Sequence, residues 1–396
     1  MNEGYPENNL VLPAEWEPQW GVQLTWPHED SDWKPYLKEI TATYIEMARA
    51  ITRYEMLLLV APDVELVRQQ LSEAEIDLQK VVFHQCPTND TWARDHGFIT
   101  CGVRNFWSSE SQRCRHQFGR VATKVNEVNV ECGMRNVECG MRLLDFQFNG
   151  WGKKFEAEKD NAINKSLYPK LSTVNYQLST YENHLDFVLE GGSIESDGKG
   201  TIFTTTDCLL APNRNQPLTQ QEIEEELKRR LHAERVLWID YGHLEGDDTD
   251  GHIDTLVRIA PDDTLLYIGC DDPTDPHYED LKKMEQQLTT FRTKEDKSYR
   301  LFKLPMPNPI YEGGERREER GEMKEERGER LPATYANFLV INGAVLVPIY
   351  QQPEKDKEAI RIIQEAFPDR EMIPIDSRTI IRQHGSIHCC TMQFPK

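Results

Sequence analysis

Residues 21–60 read GVQLTWPHEDSDWKPYLKEITATYIEMARAITRYEMLLLV, and this stretch decides the fold class. Its opening, Gly21 to Trp26, reads as a strand. Tyr36, Leu37, Ile40, Tyr44, Met47, Ala48 and Ile51 then recur at helical spacing and mark one face of a helix. The helix ends before Met56 to Val60, an apolar run of strand length. Strand, helix, strand is the unit of a mixed α/β architecture.

The layout returns along the chain. Met56 to Val60 leads into a helix over Asp63 to Ala74 and a strand at Val81 to Phe83. Ile202 to Thr205 precedes a helix that opens on a capping box of Thr219 and Glu222, with Ile223, Leu227 and Leu231 on one face, and Val236 to Ile239 follows. Leu265 to Gly269, a helix over Pro276 to Leu288 and Tyr299 to Leu304 repeat it. So do Ala344 to Ile349, a helix over Glu354 to Phe367 and Met372 to Ile375. The recurrence fits an ordinary three-layer sheet or a ring of similar units with a site on the axis, and periodicity does not choose.

Two stretches look inserted. NVECGMR at 129–135 is repeated letter for letter at 136–142, which predicts an inserted loop over residues 104–142. Residues 313–330, GGERREERGEMKEERGER, cannot bury a face and are predicted to be a solvated loop or frayed helix. The rest of the 396 residues is read as a single domain.

With 46 Lys plus Arg against 67 Asp plus Glu, the formal charge is -21, which argues against nucleic acid and would steer a cationic substrate inward. The nine cysteines are scattered, without the spacing of a disulfide scaffold, so a reducing compartment is expected. The opening residues carry no basic segment followed by an apolar one, and no run approaches the ~18 apolar residues of a membrane span. The expectation is a cytoplasmic protein without membrane or nucleic-acid partners. A homo-oligomer is compatible with the sequence.

The reactive residues lie far apart in the chain. DGHIDTLVRIA offers His252 and Asp254 two residues apart, on one side of a strand-like run if it is extended. NDTWARDHG contributes Asp90, Trp92, Arg94 and Asp95, and Glu190 ends an apolar run before Gly191 and Gly192. In QHGSIHCCTMQFPK, Cys389 follows His388 beyond a Gly-Ser turn. A free thiol is ordinarily an inert small apolar group, and carboxylates disfavour its thiolate. If Cys389, His252, Asp95, Asp254 and Glu190 converge, the thiolate needs a cation. A guanidinium supplies one: its planar fork pairs with carboxylates and leaves its carbon open to attack.

NDTWARD, FNGWG, LEGGSIESDG, GDDTDGHIDTL, LPATYANFLVING and GSIHC, in this order over nearly the whole chain, resemble the agmatine deiminase family, which includes the bacterial peptidyl-arginine deiminase type. The resemblance implies a five-fold pseudosymmetric α/β propeller around an axial site. It implies Cys389 as nucleophile, His252 as general acid and base, Asp95 and Asp254 as guanidinium clamps, and Glu190 as a further site carboxylate. It implies hydrolysis of agmatine to N-carbamoylputrescine and ammonia through an amidino-cysteine, with no metal or organic cofactor.

For the substrate tail, the acidic residues Asp90, Asp247, Asp248 and Asp250, with Trp92, suit the ammonium of agmatine. Free or peptidyl arginine would instead ask for a donor such as Arg94. A metal hydrolase built on His252, Asp254 and His388 is the rival chemistry, though the spacings match no zinc pattern. An acidic interaction protein is the rival without chemistry.

Overall fold

The computed structural model describes residues 10–103, 141–174, 179–313, 315–319, 322–326 and 328–396. Secondary structure follows the apolar runs. Leu37–Tyr54 is an α-helix that buries Ile40, Tyr44, Met47, Ala48, Ala50 and Ile51 along one stripe. Gln220–Arg230 starts at its expected cap, where the Thr219 hydroxyl accepts from Glu222 N–H and the Glu222 carboxylate accepts from Thr219 N–H. Such a cap contributes about 1 kcal/mol.

Five sheets of three or four strands share one plan. A strand pairs antiparallel with a central strand, a helix follows, and the next strand returns parallel to the central one. The third sheet orders Ile194–Ser196, Thr201–Thr205 and Arg235–Ile239 in this way. The fourth has Val257–Ala260, Thr264–Gly269 and Arg300–Pro305. The fifth has Leu339–Ile341, Ala344–Ile349 and Glu371–Asp376. In the second sheet Ile99–Val103, Arg142–Gln147 and Thr180–Val188 take those places, with Leu10–Val11 on the edge.

The first sheet is completed from the far end of the chain. Gln19–Thr25 is central, with Met56–Ala61 parallel beside it and Val81–Gln85 beyond. The antiparallel place is filled by Thr391–Pro395. Gly21 sits at the bulge in this strand, where a Cβ would stand 2.3 Å from the Met56 carbonyl oxygen, so only glycine lets the two strands approach.

Each helix also covers the sheet before its own. Leu167 and Leu171 of Ile163–Val174 share a core with Leu58 of the first sheet. Ile223 and Leu227 meet Leu144 and Phe146 of the second. Leu281, Met284 and Leu288 of Tyr278–Thr290 meet Phe203 and Ile239 of the third. Ala359 and Ile363 of Pro353–Ala366 meet Leu266 and Leu304 of the fourth. The helix Leu37–Tyr54 shares its core with Leu339, Ile341 and Leu346 of the fifth. Truncating one of these buried leucines to alanine costs about 2–5 kcal/mol.

Three readings of the sequence change. The run from Met56 to Gln85 is an extension of the first sheet, not a unit of its own. The unit absent from the sequence reading is the second sheet, because the stretch read as an insertion separates Ile99–Val103 from Arg142–Gln147. Of that stretch, residues 104–140 lie outside the described residues, while Arg142 opens a strand and donates to Glu182 at 2.6 Å. Within the run 313–330, the described residues include strands where the composition suggested a loop or frayed helix. Tyr311–Glu312 pairs with Glu329–Arg330, and Glu315–Glu319 pairs with Glu322–Glu326, both antiparallel. A composition that cannot bury a face can still close a backbone ladder, since the ladder needs only amides and carbonyls.

Among the described residues, no helix is long and apolar enough to cross a membrane.

The base of the 313–330 ribbon is tied down, with Glu312 accepting from the Tyr36 hydroxyl at 3.1 Å and from Arg382, and Arg330 pairing with Asp275 at 2.9 Å. A lone two-stranded ribbon adds little stability. Replacing Glu315–Glu326 by a two-residue turn should therefore shift Tm by less than about 3 °C, the equivalent of about 1 kcal/mol or less. Calorimetry of the full chain and the excised variant measures it; a large fall in Tm would show that the outer ladder packs on the body.

Candidate active site

The chain reverses through Ile387–Cys390 immediately before the last strand. That turn is clasped by Asn337, whose Oδ1 accepts from the backbone N–H of His388 at 3.0 Å and of Cys389 at 3.3 Å, and from the Cys389 thiol at 3.4 Å. The Asn337 amide N donates to the Asp254 carbonyl at 3.3 Å. One side chain thus joins the fifth sheet, the Cys389 turn and the segment carrying Asp254.

His252 and Asp254 reach the site from a 3-10 turn, Ile253–Thr255, with His252 at its N-cap, rather than from an extended strand as the spacing suggested. The strand begins only at Val257. Asp95 lies on a one-turn helix, Ala93–His96, which contacts the turn Gly191–Ser193. A Cβ on Gly192 would come within 2.6 Å of His252 Nδ1, 2.9 Å of Asp95 Oδ1 and 3.2 Å of Asp254 Oδ2. Three groups from two distant stretches of the chain therefore converge on one glycine, which must lack a side chain for them to do so. Cys389 Sγ lies 3.7 Å from Asp254 Oδ2.

Asp95 is held by the Trp151 indole N–H, 3.0 Å from Oδ2, and by the Gly192 N–H, 3.0 Å from Oδ1. His252 Nδ1 is 3.7 Å from the same Oδ1. Trp151 has φ 52 and ψ 53, a left-handed conformation costly for a bulky residue, and Asn149 braces it by accepting from Gly152 N–H at 2.9 Å. Asp254 Oδ2 accepts from His388 Nδ1 at 2.7 Å, while its Oδ1 and both His252 nitrogens are buried without a hydrogen-bond partner among the described residues. Unpaired buried polar atoms in such a cluster are what a polar ligand would satisfy.

Glu190 sits behind His252 and accepts from Arg214 Nε at 3.1 and 3.2 Å. Arg214 in turn donates to Asp250 at 2.6 Å and to the Thr249 carbonyl at 2.8 Å. Arg214 escaped the sequence reading because nothing in its surroundings, APNRNQP, patterns it as a site residue. Trp151 and Asn337 stood inside the quoted motifs, but no role was drawn for them.

The electrostatics follow from burial. Burial, and then the Asp254 and Asp95 carboxylates, push the Cys389 thiol well above the usual range. Burial raises Asp95 to about 6 against the pull of His252. Burial also raises Asp254, but the hydrogen bond and charge of His388 outweigh it and hold that carboxyl low. For His252, burial lowers the imidazole while Asp95 and its other neighbours raise it further, so the ring favours its charged form.

A cavity of about 30 Å³ opens onto Cys389. Trp92, Trp151 and Phe155 line it with Asp95, and Asp32, Asp90, Asp248, Thr249, Gln383 and His384 are its further polar residues. Of the acidic tail candidates, Asp90 and Asp248 are therefore at the cavity. Asp247 and Asp250 are not: Asp247 accepts from Thr249 and Gly251 within its own turn, and Asp250 is committed to Arg214 and to Lys154 at 2.8 Å. Asp32 was not foreseen. Arg94, considered for an arginine carboxylate, lies behind the Cys389 turn, donating to the His388 carbonyl at 3.4 Å and to Gln393.

A larger cavity, about 90 Å³, opens on the other side of His388 and is lined by Glu15, Glu17, Glu195 and Arg94 but not by Cys389, Asp95 or His252. Its size does not make it the reactive one. Two groups of donors stand close enough to test as metal sites: Glu190, Cys208 and His252, and Glu15, Glu195 and His388. Arg214 already neutralises Glu190, and Arg258 already pairs with Glu15 and Glu195, so a dication at either place would meet a buried guanidinium.

A buried thiol among ionisable carboxylates, an imidazole and aromatic walls is the site that the six sequence motifs converge on. Residues 11–395 match the Porphyromonas-type peptidyl-arginine deiminase family. The chain belongs to that family. Among its relatives, a candidate agmatine deiminase of Photobacterium profundum is 30% identical over 98% of this chain and 97% of its own. The solved structure of a candidate arginine deiminase of Porphyromonas gingivalis is 40% identical, with TM-score 0.79 and 98% of each chain covered. A cysteine-to-serine variant of C. jejuni agmatine deiminase, solved with substrate bound, is 33% identical, with TM-score 0.77 over 100% of this chain and 99% of that one. The mixed α/β fold is that of these deiminases.

The acids around Cys389 should depress its reactivity in the free enzyme. Asp254→Asn removes the nearest negative charge, so alkylation of Cys389 by iodoacetamide at neutral pH should become about tenfold faster, one pKa unit of thiolate, while turnover of a guanidino substrate collapses. Mass spectrometry of the Cys389 peptide reads the rate. Slower alkylation in the variant would mean that Asp254 is not the group restraining the thiol.

Proposed function

We propose that this deiminase hydrolyses agmatine through Cys389, in a single domain built as a five-fold α/β propeller with the site on its axis. The cyclic overlap of each helix onto the preceding sheet, ending with the first helix on the fifth sheet, supports the ring. The same reading places the enzyme in the cytoplasm.

The observation that carries the chemistry is the buried thiol 3.7 Å from one clamp carboxylate, with a second clamp meeting it around Gly192. A guanidinium entering between Asp95 and Asp254 neutralises the charges that held the proton on Cys389, so the cation that reacts also creates the nucleophile. The Cys389 proton passes to solvent, and the thiolate adds to the guanidinium carbon. His252, carrying its proton, gives it to the departing nitrogen, and ammonia leaves as the C–N bond breaks. The S–C bond of the amidino-cysteine remains. His252, now neutral, takes a proton from water, whose oxygen adds to the same carbon. The S–C bond then breaks, the ureido product forms and Cys389 regains its proton. Glu190, ion-paired with Arg214, lies among the groups beside His252.

The substrate tail is argued from the walls of the cavity. Asp32, Asp90 and Asp248 line it, and no Lys or Arg does among the described residues. An ammonium is favoured there, whereas the α-carboxylate of arginine finds no strong donor and three potential repulsions. Arginine, free or in a peptide, remains the second reading because the family and the Porphyromonas gingivalis neighbour carry that name.

Assaying ammonia from agmatine, arginine and a blocked arginine peptide tests the substrate. Agmatine should lead arginine in kcat/KM by at least about a hundredfold, or roughly 2.7 kcal/mol. A better rate with either arginine substrate would replace agmatine while leaving the cysteine chemistry in place.

Cys389→Ser should abolish turnover, whereas Cys390→Ser, whose thiol is buried near Tyr44, should keep most of it. Rapid quench with agmatine should leave the amidino group on the Cys389 peptide, and an adduct elsewhere would reassign the nucleophile. For pH, Asp95 must be ionised to clamp a cation and loses its charge as pH falls through about 6, so kcat/KM should decline below that value with a slope near one. A profile flat down to pH 5 would remove Asp95 from the clamp.

A further inference from the structure

His388 precedes the nucleophile and takes no part in the steps above, yet it is buried between two carboxylates. Its Nδ1 is 2.7 Å from Asp254 Oδ2 and its Nε2 is 2.7 Å from Glu15 Oε2. A neutral imidazole has one donor, so it cannot donate to two carboxylates at once; an imidazolium can. Glu15 is anchored in turn by Arg258, which also pairs with Glu195. A chain of alternating charge therefore runs from Arg258 through Glu15 and His388 to Asp254, and only Asp254 presents a free oxygen, Oδ1, at its end.

We propose that His388 is a positioning residue: held as an imidazolium between Glu15 and Asp254, it keeps the Asp254 carboxylate ionised and presents its free oxygen to the substrate guanidinium. This rests on Asp254 being a guanidinium clamp. Every charged group facing His388 fits. Glu15 from the N-terminal segment and Asp254 from the 3-10 turn bond to its ring, Arg258 and Glu195 lie one contact further out, and Arg94 holds its backbone carbonyl. Burial alone would drive Asp254 toward its neutral form, and the His388 bond and charge are the largest opposing influences.

The variants are His388→Gln, which keeps a polar side chain but no charge, and Glu15→Gln, which keeps an acceptor for Nε2 and lies outside the Cys389 cavity. Wild type and both variants are assayed in the full chain across pH, with whichever guanidino substrate the wild type turns over. In His388→Gln, Asp254 loses its cation and titrates together with Asp95. The acid limb of kcat/KM should rise by about one pH unit and steepen from one proton toward two, with KM about tenfold higher and kcat changed less. Glu15→Gln should move the limb in the same direction by a smaller amount. A purely structural role would lower the amount of folded enzyme without moving the limb. Superimposable limbs in wild type and His388→Gln overturn the proposal.

Proton NMR of the substrate-free wild type supplies a readout that needs no turnover. His388 should give two downfield ring N–H resonances at neutral pH, both absent in His388→Gln and one displaced in Glu15→Gln. A single ring N–H signal at His388 overturns the proposal, whatever the substrate panel shows. Absence of any guanidine turnover in the wild type sinks the deiminase reading instead and leaves this test standing. If His388→Gln does not fold, Glu15→Gln and the wild-type spectrum decide.

Discussion

Leu24 stands opposite Thr391, and Gly21 opposite Phe394, in an antiparallel ladder that joins the last strand of the chain to one of its first. Much else depends on that pairing. It completes the first sheet, and it holds the turn from Ile387 to Cys390 so that the thiol faces Asp254 while the Arg94 guanidinium braces the His388 carbonyl from behind. Because the ladder is built from backbone groups around a fully buried Phe394, Cys389 is carried on a rigid element.

On that frame the charged groups acting on the Cys389 thiol are carboxylates, and their cationic partners His252 and His388 stand against those carboxylates. Arg214 and Arg258 neutralise carboxylates one layer out, at Glu190, Glu15 and Glu195, while Asp95 and Asp254 meet the thiol without a guanidinium of their own. The arrangement is costly in the empty enzyme, since burial opposes each charge. In the proposed reaction a cationic substrate relieves the cost by pairing with the Asp254 oxygen that has no hydrogen-bond partner among the described residues. On the proposed mechanism, binding and activation of the thiol are one electrostatic event, and a neutral ligand of the same shape accomplishes neither.

The local order of the chain was legible where the apolar period was clean. The Leu37–Tyr54 stripe, the Thr219–Glu222 cap and the strands at Ala344–Ile349 and Glu371–Asp376 came directly from spacing. Other readings reached a sound result by an unsound route. His252 and Asp254 were placed together by strand alternation, yet a 3-10 turn brings them there. The repeat count included Met56 to Gln85 and missed the unit around Arg142–Gln147, whose pattern is broken by a long intervening stretch. Along the Glu/Arg-rich run, the absence of a burial pattern hid a ladder that depends on backbone pairing and not on side chains.

Residue types and their order supplied the candidates, a late cysteine, a His-x-Asp pair, an Asp after Trp-Ala-Arg and a Glu before two glycines, and the six ordered motifs supplied the family; their roles are what the resemblance implies. Tertiary structure alone decided which acids reach the cavity and which are spent elsewhere. Asp247, Asp248 and Asp250 are near neighbours in sequence, yet one lines the cavity, one caps its own turn and one pairs with Arg214 and Lys154. The difference is set by partners such as Arg214, 36 residues away from Asp250, and His388, 134 away from Asp254. A one-dimensional pattern records what a residue can donate or accept, and only the folded chain determines which partner is within 3 Å to take it.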